Sequence, residues 1–314
     1  MDTEARIVRL VERRGPLTGA QLQTALAPTG VATQSGPGGG AYDCWKAAML
    51  SDRLAVRTVG TRYVRIDRKV EGFARLSPSI VREFLTYSVV GLADDTPSLD
   101  GRAAEVLAHA ESVSRAKLEL ATGVVAGVAA RLADRDEAAE SYCVFIAGDV
   151  VFGMAHDVPR PERSTGQMVR GSDLDLVVVV EDAAPETLLR RLDEEIYQQK
   201  YRHLINPSAR EEIDYVVKPL RRLREQAGFD TVRKMIACKI LQEGVLIHGS
   251  RELFATAKGL LDEYGVTRRL ADMEVAATHL RRQAEEYLLS TEWSALGADE
   301  LYLFYTADES EELE

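Results

Sequence analysis

Residues 142–147 (YCVFIA) with Gly148-Asp149, residues 171–180 (GSDLDLVVVV) and residues 212–217 (EIDYVV) decide how the middle of this chain folds. Each contains a short apolar run rich in β-branched or aromatic side chains, which fits a buried strand. Polar groups stand at one end of every run. Gly148-Asp149 follow the first, Gly171-Ser172-Asp173 precede the second, and Asp214 opens the third. Successive strand side chains alternate faces, so Asp173 and Asp175 share one face while Leu174 and Leu176 enter the core. Two carboxylates on a rigid strand, joined by Asp214 from a neighbouring strand, form a donor set for hard divalent cations, which take oxygen ligands. Such a set suits two Mg²⁺ ions roughly 3.5–4 Å apart, completed by substrate phosphates. Val150–Ala155 is expected to open a helix after the Gly148 turn, and a helix N-terminus favours phosphate.

The order Gly148-x4-Gly153, Asp173-x-Asp175, Asp214, spread over about residues 140–220, resembles the nucleotidyltransferase superfamily typified by DNA polymerase β. Residues 230–250 (DTVRKMIACKILQEGVLIHGS) are similar to the helix and short strand that follow the third carboxylate in bacterial members, such as aminoglycoside nucleotidyltransferases and the nucleotidyltransferase toxins of toxin–antitoxin systems. The resemblance implies an α/β nucleotidyltransferase fold, a small mixed sheet with flanking helices. It implies a Mg²⁺-dependent transfer of NMP from an NTP, ATP among them, to an acceptor hydroxyl of RNA, protein or a small molecule. Asp173 and Asp175 would then ligate two Mg²⁺ ions, Asp214 would bind the catalytic one and take the hydroxyl proton, and Gly148 would let the backbone approach the triphosphate. An antitoxin-like protein partner follows from the same resemblance. The alternative is a non-catalytic regulator that senses a nucleotide and binds nucleic acid.

Asp149 stands where members of that superfamily carry Ser, and it has two readings. A carboxylate there repels a triphosphate unless a metal or a basic side chain intervenes, and it also makes a good N-cap for the expected helix. Ser172, Arg170, Lys234 and Lys239 are further candidates for nucleotide contact, with Arg160, Arg163 and Arg233 beside them; each basic residue has the alternative of a solvated charge. His156, His203 and His248 show no ligand spacing.

The chain has 314 residues, 39 Lys and Arg against 50 Asp and Glu, and a formal charge of -11. Residues 1–70 hold eleven Lys or Arg against six Asp or Glu, a local balance of +5. Apolar spacing predicts a first helix through Ile7 and Val11, a second after Thr18 with Gln21 completing a capping box, and a third over Tyr42–Ser51. Residues 54–66 alternate as a hairpin around Val59-Gly60-Thr61. Three helices and a hairpin resemble a winged helix-turn-helix. Arg57, Arg62, Arg65, Lys46 and Arg53 would contact phosphate there, or else form a basic face packed on acidic neighbours. The glycine-rich residues 28–40 are expected to be loop, residues 77–92 a helix, and Asp100 the N-cap of a long helix reaching Asp134. The expected division is 1–70 winged-helix-like, 71–99 connecting, 100–250 nucleotidyltransferase core, 251–305 C-terminal helices and 306–314 acidic tail. Cys44, Cys143 and Cys238 lack metal or disulfide spacing and suit reduced core positions. No apolar run approaches the roughly 18 residues of a membrane span, and the start is acidic, so the expectation is a cytoplasmic protein without a membrane partner.

Overall fold

The computed structural model describes residues 2–27, 39–133, 139–162 and 164–304. Most of the glycine-rich loop, Arg163 and the acidic tail lie outside the described residues. The described chain is mixed α/β and forms two compact units. Among the described residues, one holds the chain up to Val64, Arg75–His109 and residues 275–304; the other holds Arg65–Ala74 and Ala110–Glu274. No described helix is long and apolar enough to cross a membrane.

The chain begins with α1 (Thr3–Arg14), β1 (Leu17–Thr18), α2 (Gly19–Leu26) and α3 (Gly39–Leu50). The Thr18 capping box forms as its spacing predicts: Gln21 N–H donates to Thr18 Oγ1 at 3.3 Å and Thr18 N–H to Gln21 Oε1 at 3.0 Å. Then come β2 (Leu54–Thr58), β3 (Tyr63–Ile66), β4 (Ala74–Ser77), α4 (Ile80–Tyr87), β5 (Ser88–Leu92) and α5 (Thr96–Ala133). The hairpin expected over 54–66 does not form. β2 pairs antiparallel with β5, whose other edge takes β1, while β3 pairs with β4. Period-2 alternation marks a strand without naming its partner, and β5, buried along four of its five residues, is the apolar strand able to sit centrally.

The helix expected over 77–92 is likewise divided into α4 and β5. Val89 and Val90 are β-branched and stiff at χ1, which favours the strand. The long helix starts earlier than Asp100. Pro97 fits its first turn, where a missing N–H costs nothing, and Asp95 Oδ1 accepts from Ser98 N–H at 3.3 Å.

The second unit is built on β6 (Tyr142–Ala147), β7 (Pro159–Pro161), β8 (Met168–Arg170), β9 (Leu174–Val180), α6 (Glu186–Ile205), β10 (Ile213–Pro219), α7 (Leu220–Gln226), α8 (Val232–Glu243), β11 (Val245–Gly249) and α9 (Arg251–Glu263). Its main sheet has the order β10-β9-β6-β11, parallel between β10 and β9 and antiparallel elsewhere. Both faces are covered. Tyr142, Val144 and Ile146 face a core shared with Val125 and Val128 of α5 and Leu188, Leu192 and Ile196 of α6. Cys143, Phe145 and Ala147 face α7, α8 and α9 through Leu223, Leu241 and Leu260. Each buried side chain of this size is worth about 1.5–3 kcal/mol, so a one-residue slip that exchanged the two faces would be costly and the register is firm.

α10 (Val266–Ser290) and α11 (Ala298–Phe304) complete the described chain. From Val275 these residues group with the first unit, unlike the linear division expected at residue 251. The buried Tyr42 hydroxyl explains this, lying 2.6 Å from Leu288 O and 2.8 Å from Thr291 O. Its ring meets that of Phe304 edge-on at 5.1 Å.

Candidate functional site

Strand register assembles the site. Leu174 lies opposite Ile213 and Asp175 opposite Asp214, Leu174 N–H donates to Glu212 O at 3.0 Å, and Ala147 lies opposite Asp175. The end of β6 and the starts of β9 and β10 therefore meet at one edge of the sheet. There Asp173, Glu212 and Asp214 each offer a carboxylate oxygen within 4.8 Å of one another, a group that could hold a metal ion. An octahedral cation with metal–oxygen distances near 2.1 Å keeps its ligand oxygens about 3–4.2 Å apart, so movements of less than about 1 Å would close these three onto it.

Two of the three expected carboxylates, Asp173 and Asp214, belong to this group, and Glu212 stands in it where Asp175 was expected. Asp175 instead lies against the Gly148 turn. A Cβ built on Gly148, which has φ +73°, would come within 2.2 Å of Asp175 Oδ2, so this position needs glycine for space as well as for backbone conformation. The signal for Glu212 was present in the sequence: Glu212-x-Asp214 repeats the acid-x-acid spacing of Asp173-x-Asp175, with the same consequence for facing.

The electrostatics reflect crowding. Burial raises the Asp173 carboxyl above its usual range against the pull of Arg160; Asp214 and Asp149 raise it further, and Arg65 opposes them. Glu212 is pushed up to about 7, first by burial and then by the charge of Asp173, with Arg160 opposing. Cations answer from three sides. Arg160 on β7 places Nη1 at 2.7 Å from Glu212 and Nη2 at 3.5 Å from Asp173, and its Nε donates to Gly171 O at 2.8 Å. Lys200 of α6 donates to Asp214 Oδ1 at 2.7 Å. Arg65 acts on Asp173 from the segment that groups with this unit.

Asp149 is not a helix cap. Residues 148–150 make a single 3-10 turn with Ala147 in the capping position, and no helix follows over Val150–Ala155. Gly148 and Gly153, both at positive φ, bracket the stretch and stop helical propagation. Asp149 Oδ2 instead accepts from Ser172 Oγ at 2.7 Å, and Ser172 Oγ accepts from His156 N–H at 3.2 Å. Ser172 thus tethers Asp149 next to Asp173.

The remaining candidates are dispersed. Gly148 N–H donates to Glu243 Oε1 at 2.8 Å. Glu243 pairs with the buried Lys239, whose ammonium lies 5.1 Å from the centre of the Phe152 ring. Lys239 is therefore committed to the core beneath the turn. Lys234 pairs with Asp230, just before α8, at 2.8 Å. The side chain of Arg170 is exposed, while its carbonyl accepts from the buried Lys117 at 2.9 Å. His156 Nδ1 accepts from Val158 N–H, and the His203 ring lies 2.9 Å from Gln199 O. All three cysteines are free and buried, and burial raises each thiol: Cys44 to about 11, Cys143 and Cys238 to about 12.

In the first unit the basic residues singled out by sequence are engaged with acids of that unit. Arg57 pairs with Asp100 at 2.9 Å, Lys46 with Glu292 at 2.7 Å and Arg53 with Glu12 at 3.4 Å. Arg62 reaches Glu83 at 2.6 Å and Glu285 at 3.0 Å. No family model, no curated protein and no solved structure matches this chain.

Proposed function

We propose that the chain is a Mg²⁺-dependent nucleotidyltransferase that moves NMP from an NTP to an acceptor hydroxyl and releases pyrophosphate. The observation that carries this reading is the convergence of Asp173, Glu212 and Asp214 at the starts of two parallel strands, beside a glycine turn that ends the neighbouring strand. Element order adds support, with β6 and its turn before the acid-x-acid of β9, a further acidic strand β10, then α8 and β11. Within the first unit, α1, α2 and α3 together with the sheet order β1-β5-β2 suit a winged-helix head.

The donor set fits the metal: all three ligands are oxygens, as a hard cation requires, and they lie within 4.8 Å of one another, close enough for small movements to bring them onto an ion. Bound there, a divalent cation supplies neutralisation of the charge that builds on the phosphoryl oxygens and the leaving pyrophosphate. The chain's own residues do the rest. A bond forms between the acceptor oxygen and the α-phosphorus while the bond to the β-phosphate oxygen breaks, and a carboxylate oxygen of Asp214 takes the hydroxyl proton. Lys200 orients that carboxylate. Arg160 and Arg65 bring positive charge to the phosphates, and fixed charges of this kind act without reorganising.

One observation favours a second reading, a nucleotide sensor without catalysis. The Gly148 N–H already serves Glu243, and Asp149 adds a negative charge where a triphosphate would lie. Incubation with each α-³²P-labelled NTP, Mg²⁺ and total cell RNA and protein separates the two. Label transferred by the wild type and lost in Asp214→Asn supports the enzyme; nucleotide binding with no transfer in any arm supports the sensor.

A further inference from the structure

We propose that Arg160 is the internal counter-ion of the acidic centre: its guanidinium holds two of the three carboxylates until a nucleoside triphosphate arrives with its divalent cation, and then transfers to the phosphates. This rests on the nucleotidyltransferase reading and adds an order of assembly to it. Arg160 touches two members of the triad, Glu212 at 2.7 Å and Asp173 at 3.5 Å, and is steadied by Gly171 O at 2.8 Å. A metal ion drawing those carboxylates together must displace the guanidinium from them.

The charge balance makes the metal alone a poor competitor. Four carboxylates meet at the centre, Asp173, Glu212, Asp214 and Asp149, against three cations, Arg160, Arg65 and Lys200. With all seven groups ionised their sum is -1, and a divalent ion entering by itself turns it positive. A polyphosphate arriving with the ion restores negative charge and offers the displaced guanidinium new acceptors. The planar fork of arginine pairs as well with two phosphate oxygens as with two carboxylate oxygens, so the exchange loses little.

The backbone around Arg160 confines the motion to the side chain. Pro159 and Pro161 flank it on β7, each with φ fixed near -65°, and Arg160 is held in register opposite Val169 of β8. The hairpin loop is closed by the buried Glu162, whose carboxylate accepts from the N–H and hydroxyl of both Ser164 and Thr165. Held in register on β7 by its backbone, Arg160 has a mount from which the guanidinium swings while the strand stays.

The test is Mn²⁺ titration of the full chain, followed by electron paramagnetic resonance, with and without an α,β-methylene NTP analogue. Wild type, Arg160→Gln, Arg160→Lys and Asp173→Asn are compared, each checked for folding by circular dichroism. The expected result is opposite signs in Arg160→Gln. Free Mn²⁺ binds about tenfold tighter than to wild type, and Mn²⁺ with the analogue about tenfold weaker, the size of one charge-assisted hydrogen bond. Arg160→Lys, which keeps the charge but not the fork, falls between the two. Unchanged free-Mn²⁺ affinity in Arg160→Gln, or a loss with and without the analogue alike, overturns the counter-ion role even if Asp173→Asn abolishes binding. Wild type and Asp173→Asn that are indistinguishable under both conditions overturn the metal-site reading itself.

Discussion

In the first unit Arg62 and Arg281 stand among Glu83 and Glu285, two cations to two anions, at distances of 2.6–3.1 Å. At the acidic centre of the second unit four carboxylates face three cations, and both Asp173 and Glu212 have carboxyl groups raised well above their usual range. The first network is closed, with every charge answered inside the fold. The second, when its groups are ionised, is left with surplus negative charge on partly buried carboxylates, which is unfavourable for the fold alone and useful if something positive is to be bound. Formal balance points the wrong way in both places. In the segment with local charge +5, Lys46, Arg57 and Arg62 are engaged by acids further along the chain, and the strongly acidic remainder gathers cations around its carboxylates. Presented charge is a property of pairs, and pairs are made by folding.

Arg281 gives the largest test of that contrast. It is 7% exposed, and besides Glu83 and Glu285 its guanidinium donates to Pro78 O at 2.8 Å. Arg281→Met removes one side of a buried balanced network and is expected to cost about 3–5 kcal/mol in urea unfolding, because Glu83 is left buried with less compensation. A loss below about 1 kcal/mol would show that the network is wetter than its burial indicates.

Next in size is Asp173→Asn, which removes a surplus charge instead of a balancing one. Binding of Mn²⁺ with nucleotide should fall by at least about 100-fold, since losing a direct ligand costs no less than losing one of its outer-shell partners. Thermal stability should hold or rise, since the repulsion among Asp173, Asp214 and Asp149 is relieved. A strong drop in melting temperature would make Asp173 a structural member of a closed network, like Glu83.

Lys218 supplies the intermediate case, a buried cation with no carboxylate partner among the described residues. Its ammonium donates to Gln226 Oε1 at 3.2 Å, and burial lowers it to about 8, with Cys238 opposing and Arg222 adding. Between pH 8 and the ordinary lysine value near 10.4 the unfolded chain holds a proton that the folded chain lacks, so wild-type stability rises with pH across that window. Lys218→Met is accordingly expected to stabilise by about 1–3 kcal/mol at pH 7 and to lose that advantage by about pH 10.5, as followed by denaturant midpoints at stepped pH. A gain that does not change with pH would assign the effect to packing.

The smallest effect is expected at Arg57, whose pair with Asp100 is exposed on both sides. Arg57→Ala should alter stability by less than about 0.5 kcal/mol. An exposed pair of this kind opens readily, so Arg57 also tests the nucleic-acid expectation for the head. If the full chain binds duplex DNA or RNA there, the variant should reduce the slope of log affinity against log salt by about one. An unchanged slope leaves the arginines of the first unit to packing.

Much of the second unit was legible in the chain itself. Strands at 142–147 and across Asp173–Val180, the following acidic strand, and the helix and strand over 230–250 all form where composition and periodicity put them, because their signals are local: runs of β-branched residues, alternation, and the Thr231 cap of α8. The Thr18 capping box was legible for the same reason. Apart from the meeting of Asp173 with Asp214, what failed were inferences that needed a partner. Alternation over 54–66 did not reveal that β2 belongs to β5, and the helical look of 77–92 concealed the central strand. The acid-x-acid pattern did not show which two of four strand carboxylates would be joined by a third. Asp149 looked like a cap until the turn closed without a helix and Ser172 took its carboxylate. The engagement of Gly148 N–H by Glu243, 95 residues further along, has no sequence signature. The sequence alone determined where the main-sheet strands of the second unit run and which end of β6, β9 and β10 is polar, because those follow from one residue and its near neighbours. Only the tertiary structure decided which charges meet, because Coulomb and desolvation energies depend on distances between groups far apart along the chain.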